Sequence, residues 1–222
     1  MGEGKGKLDK GRYRTWVERL KSIDAEKGLE SEKAMSDDKV PIHPLRLCKE
    51  VRDFLRRDAI LVVDGQEILN YGRQSIPTFT AGHRLNSGPF GCMGVGLPFG
   101  IGAKVACPDT QVVVLHGDGS YGINGTEIDT AVRHKIPVLV VISNNGGWTA
   151  HPKQDKPGRN LGYTRYDKIA IDYGAHGEFV EKPHEIRAAL ERAYASRKPA
   201  VVNVVTDYTA RATTIRFSAY ST

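Results

Sequence analysis

Residues 112–145, VVVLHGDGSYGINGTEIDTAVRHKIPVLVVISNN, decide the fold. Two runs in this stretch, Val112 to Leu115 and Pro137 to Ile142, are β-branched and aliphatic without polar alternation. A helical pattern from about Glu127 to His134 lies between them. Unalternated runs separated by a helix indicate strands of a parallel sheet that is covered on both faces. The same pattern extends outward. Ala59 to Val63 forms an earlier run, and a Gly-rich stretch over 88–102 leads into a helix. Downstream come a helix near 166–174, a short strand at 178–180, a helix over 183–196 and a run from Ala200 to Val205. The chain therefore reads as α/β, a doubly wound parallel sheet with an N-terminal helical arm.

The arm covers residues 1–37 and is charged, with Trp16, Val17 and Leu20 at helical spacing. A stripe this narrow needs a surface to lie on. The segment DDKVPIHP (37–44) breaks the helix with two prolines, and Pro44 opens an amphipathic stretch through Leu45, Leu47, Val51, Phe54 and Leu55. The compact domain is expected over 38–208 and a tail over 209–222. At 222 residues with 40% apolar content, one core is sufficient. No apolar run is long enough for a membrane span, and the N-terminus lacks the apolar centre of a signal peptide, so a cytoplasmic location is expected. The cysteines, Cys48, Cys92 and Cys107, are scattered and read as reduced packing residues. A net charge of +6 comes with no nucleic-acid-binding module; an anionic cofactor or a coenzyme A tail would use the same charge.

In open parallel sheets ligands bind beyond the carboxyl ends of the strands. Three runs end in polar, Gly-containing turns there: Asp64-Gly65-Gln66-Glu67, Gly117-Asp118-Gly119-Ser120 and Asn144-Asn145-Gly146-Gly147. The glycines of the second turn permit a tight bend, and its free amides suit an anion. Asn145 follows Asp118 by 27 positions, with one helix and one strand between, so neighbouring parallel strands would bring the two side chains together. A carboxylate, an amide oxygen and a backbone carbonyl are hard oxygen donors of the kind magnesium takes, with diphosphate oxygens and water completing the shell.

The GDG…NN pairing over residues 117–145 resembles the signature of thiamine diphosphate (ThDP) enzymes. By that resemblance Asp118, Asn145 and the carbonyl of Gly147 ligate Mg²⁺, and Gly119 and Ser120 meet the diphosphate. Gly65 and Gln66 fit a second diphosphate turn. SGPFGCMGVGLP (87–98) is similar to the family's loop beneath the cofactor, where Met93 holds the cofactor bent and the carbonyl of Gly91 accepts from the aminopyrimidine. Two residues keep two readings each. Glu67 is either an exposed loop carboxylate or an active-site acid near the substrate. Trp148 either shapes the pocket or packs.

The resemblance spans roughly 40–208 and lies within the acetolactate synthase-like group. His83 to Leu97, together with Gly72-Arg73, looks most like 2-hydroxyacyl-CoA lyases and oxalyl-CoA decarboxylases. It implies a ThDP- and Mg²⁺-dependent lyase that cleaves or forms a 2-hydroxyacyl-CoA, with formyl-CoA and an aldehyde or ketone as the other partners in the reaction. The alternatives are an acetolactate synthase-like ligase or a 2-oxo acid decarboxylase, and, outside enzymes, a binding or regulatory module that keeps the fold. Many acyl-CoA relatives carry Glu-Gly-Ala-Asn where this chain has Asp64-Gly65-Gln66-Glu67. The family's activating glutamate belongs to a separate pyrimidine-binding domain. The expectation is therefore a small subunit of a split enzyme, working with a larger subunit that carries the pyrimidine and middle domains, as a dimer of heterodimers or a higher assembly; a fragment of one longer chain is the other reading. No nucleic-acid or membrane partner is expected. The tail, with Arg211, Arg216, Phe217 and Tyr220, is either loose surface or a lid over the site.

Overall fold

The computed structural model describes residues 11–148 and 157–212. The arm is a helix, α1 (Arg14–Met35), followed by α2 (Pro44–Phe54). His43 caps α2, its Nδ1 accepting from the Leu45 N–H at 3.1 Å, with Pro44 preset at the first helical position. The sheet domain runs β1 (Ile60–Asp64), α3 (Glu67–Ser75), β2 (Arg84–Leu85), α4 (Gly96–Ala106), β3 (Val112–Gly117), α5 (Asp118–Asn124), α6 (Ile128–Arg133) and β4 (Leu139–Asn144). It ends with α7 (Tyr166–Asp172), β5 (His176–Val180), α8 (Ile186–Ala195) and β6 (Ala200–Val205).

All six strands are parallel, in the order β2-β1-β3-β4-β6-β5. From β1 the chain first moves outward to β2 and then returns to place β3 on β1's other side. The winding therefore reverses between β1 and β3, the place where such sheets open a crevice. Side chains along each strand alternate between two buried layers. Leu61, Val63, Val113, Leu115, Val141 and Val202 meet α2, α3 and α8 on one face. Ile60, Val62, Val112, Val114, Val140 and Val201 meet α4, α6 and α7 on the other. This double cover is why the strands read as unbroken apolar runs.

Some expected elements differ in detail. The helix expected over 183–196 begins as a 3-10 turn, Pro183–Glu185. The helix expected at 127–134 is preceded by α5, which starts on Asp118 itself. α3 and the two-residue β2 are additional elements. In α1 the stripe of Trp16, Val17 and Leu20 is exposed, Trp16 by 61%, and only the last turns of the helix pack, through Met35. Among the described residues no helix is long and apolar enough to cross a membrane. The three cysteines are free.

α4 lies so close to the sheet that a Cβ on Gly100 would come within 2.3 Å of Val114 Cγ2 and 3.2 Å of Val138 Cγ2. Gly100→Ala should cost about 1–3 kcal/mol through overpacking, read as a lower urea midpoint. An unchanged midpoint would show that α4 is not seated this tightly.

Candidate cofactor site

β3 and β4 are hydrogen-bonded neighbours, with Gly117 opposite Ser143. The residues that follow those two positions therefore emerge side by side at the carboxyl end of the sheet. Asp118, Asn145 and Gly147 line one pocket there, together with Gly119, Ser120 and Trp148. The turn after β1 contributes Gly65, Gln66 and Glu67, and Met93 reaches the same pocket from the loop before α4. Gly91 does not line it; this residue is exposed and ends the 3-10 turn Gly88–Phe90. Residues of all three turns thus line one pocket.

Asp118 is the electrostatic centre. Only 3% of the residue is exposed, and its Oδ1 accepts from the Gly119 N–H at 2.9 Å. Oδ2 is buried without a hydrogen-bond partner among the described residues. Burial pushes the carboxyl up to about 7, against the pull of the Gly119, Gly147 and Gly146 amides. A buried carboxylate oxygen with nothing to answer it is what a hard cation would satisfy. The half-buried Asn145 lines the same pocket, its amide oxygen accepting from the Gly147 N–H at 3.2 Å, and buried Gly147 adds a carbonyl. The described residues contain no cluster of three or more His, Cys, Asp or Glu that could hold a metal. The candidate donor set is instead one carboxylate, one amide and one carbonyl, with room left for oxygens of the ligand.

The neighbouring asparagine does different work. Asn144 is fully buried, and its amide donates to the Thr164 carbonyl (3.0 Å) and to Asn203 Oδ1 (3.1 Å). Its Oδ1 accepts from the Gly146 N–H at 3.2 Å. Asn203 continues the network to Thr164 and Asp167, and Arg165 grips Asp167 through two bonds of 2.9 and 2.7 Å. Asn144 thus holds the turn in shape while Asn145 faces the pocket.

Ser120 is also turned inward. Its hydroxyl, with one proton to donate, lies within reach of the carbonyls of Asp64 (3.1 Å) and Gly117 (3.0 Å) and 3.0 Å from His116 Nδ1. Its backbone, at the start of α5, is what remains for an anion. His116 is buried, and burial lowers its pKa to about 3, so the ring is neutral. It stacks edge-on with Tyr121, which stacks on Tyr166, whose hydroxyl donates to the Asp118 carbonyl at 3.4 Å.

Asp64, at the start of the first turn, has a positioning role. Its Oδ2 accepts from the Gly96 N–H at 2.8 Å, tying the Met93 loop to the end of β1. Asn124 holds the other side of that loop, donating to the Gly94 carbonyl at 2.9 Å. A polar residue in an otherwise apolar strand was the available signal for Asp64, at the end of β1, and for Asn203, inside β6; Asn124 gave none. Both readings of Trp148 meet in the structure. It lines the pocket, and its ring covers Gly119, where a Cβ would come within 3.2 Å. Glu67 is half-buried at α3's first position, and its Oε2 accepts from the Ala212 N–H at 3.0 Å. Residues 213–222, including Arg216, Phe217 and Tyr220, lie outside the described residues.

The folded Asp118 carboxyl keeps its proton up to about pH 7, whereas an unfolded one releases it near 3.8. Folding therefore binds a proton between these values, and the stability of the cation-free chain should fall as pH rises from about 4 to 7. The slope is at most about 1.4 kcal/mol per pH unit. Urea unfolding with a chelator present should show this fall in the native chain and a flatter profile in Asp118→Asn. An identical profile in the two would contradict the assignment.

Comparison with known proteins agrees with this geometry. The family model for the thiamine pyrophosphate enzyme C-terminal TPP binding domain matches residues 70–204. The acetolactate synthase large subunit of Mycobacterium tuberculosis is 43% identical over 203 residues, which cover 88% of this chain and 37% of that protein. The 2-hydroxyacyl-CoA lyase of Arabidopsis thaliana is 32% identical over 213 residues, covering 89% of this chain and 37% of that protein. A solved structure, the ThDP-dependent 4-hydroxybenzoylformate decarboxylase of Rhodococcus jostii, superposes with a TM-score of 0.69 at 29% identity, covering 75% of this chain and 33% of that one. The chain thus spans little more than a third of the length of these curated relatives. On the strength of the family match and of the turns that converge on Asp118, the chain belongs to the thiamine diphosphate enzymes, as their C-terminal cofactor-binding domain.

Proposed function

We propose that the chain is the diphosphate- and magnesium-binding part of a ThDP-dependent carbon–carbon lyase that cleaves, or forms, a 2-hydroxyacyl-CoA, with formyl-CoA and an aldehyde or ketone on the other side. Glu67 is the observation that carries this reading, a carboxylate in the wall of the candidate cofactor pocket. Breaking the bond beside a carbinol requires that the hydroxyl proton be removed, and a carboxylate within reach is suited to take it. A 2-oxo acid has no such proton. The Ala212 N–H on Oε2 fixes the orientation of this side chain.

In this reading Asp118, Asn145 and the Gly147 carbonyl hold Mg²⁺. Gly119, Ser120, Gly65 and Gln66 receive the diphosphate, Met93 holds the cofactor bent, and the carbonyl of Gly91, outside the pocket lined by this chain, accepts from the aminopyrimidine. Bound there, ThDP supplies an electron sink that no side chain provides. Three of this chain's own residues act around it: Asp118 balances the cation's charge, Glu67 moves the substrate proton, and Trp148 covers the Gly119 turn and limits water. A lyase of this name is among the relatives. A second reading, a synthase acting on 2-oxo acids, is favoured by the 43% identity to the mycobacterial acetolactate synthase. Coenzyme A recognition separates the two.

The activating glutamate is assigned to a pyrimidine-binding domain on a larger partner subunit, in a cytoplasmic hetero-oligomer. The exposed Trp16, Val17 and Leu20 of α1 offer the apolar face on which that subunit would pack. With the partner, ThDP and Mg²⁺ present, mass spectrometry of reactions with a panel of 2-hydroxyacyl-CoA thioesters should show formyl-CoA and a carbonyl product. Glu67→Gln should lower that turnover about a hundredfold or more while leaving ThDP affinity within a few-fold. Acetolactate from pyruvate without thioester cleavage would establish the second reading. Full turnover by the chain alone would remove the partner.

A further inference from the structure

One imidazole touches two parts of the cofactor site at once. His116, the penultimate residue of β3, is 1% exposed and lies between the first residue of α4 and the first turn of α5. A Cβ on Gly96 would come within 2.5 Å of its Cε1 and 2.6 Å of its Nε2, so the ring backs directly onto the end of the loop that carries Met93. On the other side Nδ1 lies 3.0 Å from the Ser120 hydroxyl. Nε2 is buried with no hydrogen-bond partner among the described residues. A charged ring would need an acceptor at each nitrogen, so the imidazole is neutral and carries a single ring proton.

The neighbours of Ser120 Oγ decide which nitrogen carries that proton. Two of them are the carbonyls of Asp64 and Gly117, which can only accept, and the hydroxyl has one proton. Were it given to Nδ1, neither carbonyl would receive it and the ring proton would sit on Nε2, a buried donor with no acceptor. With the ring proton on Nδ1, the imidazole donates to Oγ, the hydroxyl donates to the carbonyls, and only a lone pair is left at Nε2. Asp64 Oδ2, 3.8 Å from Nδ1, favours a proton on the same nitrogen. We propose that His116 is a positioning residue for the cofactor: as the Nδ1–H tautomer it donates to Ser120, directs the serine proton to the ends of β1 and β3, and so fixes the Gly119-Ser120 turn relative to the Met93 loop. In the proposed site that turn receives the diphosphate and the loop meets the organic rings. Their spacing therefore sets how well one cofactor satisfies both. This role rests on the ThDP site and is independent of which substrate the enzyme takes.

Long-range ¹H–¹⁵N correlation spectra of the full chain, without ligand, read the tautomer. Of the seven histidines, the imidazole that vanishes in His116→Asn is assigned to His116, and its Nδ1 should be protonated and its Nε2 bare. Titration of ThDP with Mg²⁺ into the complete enzyme, pyrimidine-binding domain included, then reads the positioning. His116→Leu, which fills the space without a polar atom, should weaken ThDP about tenfold. His116→Asn, whose amide nitrogen can stand in the place of Nδ1, should stay within about threefold of the native enzyme. A role in packing alone predicts the reverse order, because Asn leaves a gap that Leu fills. A proton on Nε2, the reverse order, or equal affinity in all three proteins overturns the role while the ThDP site stands. No ThDP binding by the native enzyme would overturn the site, and this role with it.

Discussion

One oxygen of the Asp118 carboxylate is buried at the end of β3 with no hydrogen-bond donor among the described residues to receive it. Burying an unpaired charge costs several kcal/mol, comparable to the whole net stability of many domains. A chain that keeps a carboxylate in this position needs either a proton or a cation to offset it. The raised pKa, about 7, is the protonated solution, and a divalent ion shared with a diphosphate is the other. The surrounding elements serve to hold the carboxylate in place and to bring further oxygen donors to it.

The sheet does most of that holding. Five register pairs between β3 and β4 fix the heights of Asp118 and Asn145 relative to each other, and reversal of the winding beside β1 leaves space above them. The turns cannot rely on the apolar core, so they are pinned by buried polar contacts instead. Asp64 ties down the Met93 loop, Ser120 joins the ends of β1 and β3, and Asn144 with Asn203 locks the turn after β4. Each such bond contributes only about 1 kcal/mol net, but leaving one of these buried groups unpaired costs more than the bond contributes. The arrangement is therefore stiff because its failures are expensive. In a cofactor site this matters because positioning is a large share of what the protein contributes.

The sheet was legible because burial on both faces forces strands such as Val112–Leu115 to be apolar throughout. The pairing of Asp118 with Asn145 was legible for a related reason: one helix and one strand between two turns place them on adjacent strands. What escaped was whatever depends on side-chain direction or on distant partners. Nothing local distinguishes Ser120 facing an anion from Ser120 facing Asp64, since both are serines in a Gly-rich turn. Asn144 and Asn145 are chemically identical, so only the resemblance selected Asn145; Asn203, 59 positions away, is what commits Asn144 to the interior. Glu67 and Ala212 meet across 145 positions, so no window of sequence contains the contact. β2 has two residues, too few for any periodicity to register.

The central claim is that Asp118, Asn145 and Gly147 form one cation site at the end of two adjacent strands. Anomalous diffraction at the manganese edge, from crystals of the complete enzyme grown with ThDP and Mn²⁺, tests it most directly. A single strong peak is expected in contact with Asp118 Oδ2, the Asn145 amide oxygen, the Gly147 carbonyl and the diphosphate. Bound ThDP with the manganese peak elsewhere, or with none at these three residues, would contradict it.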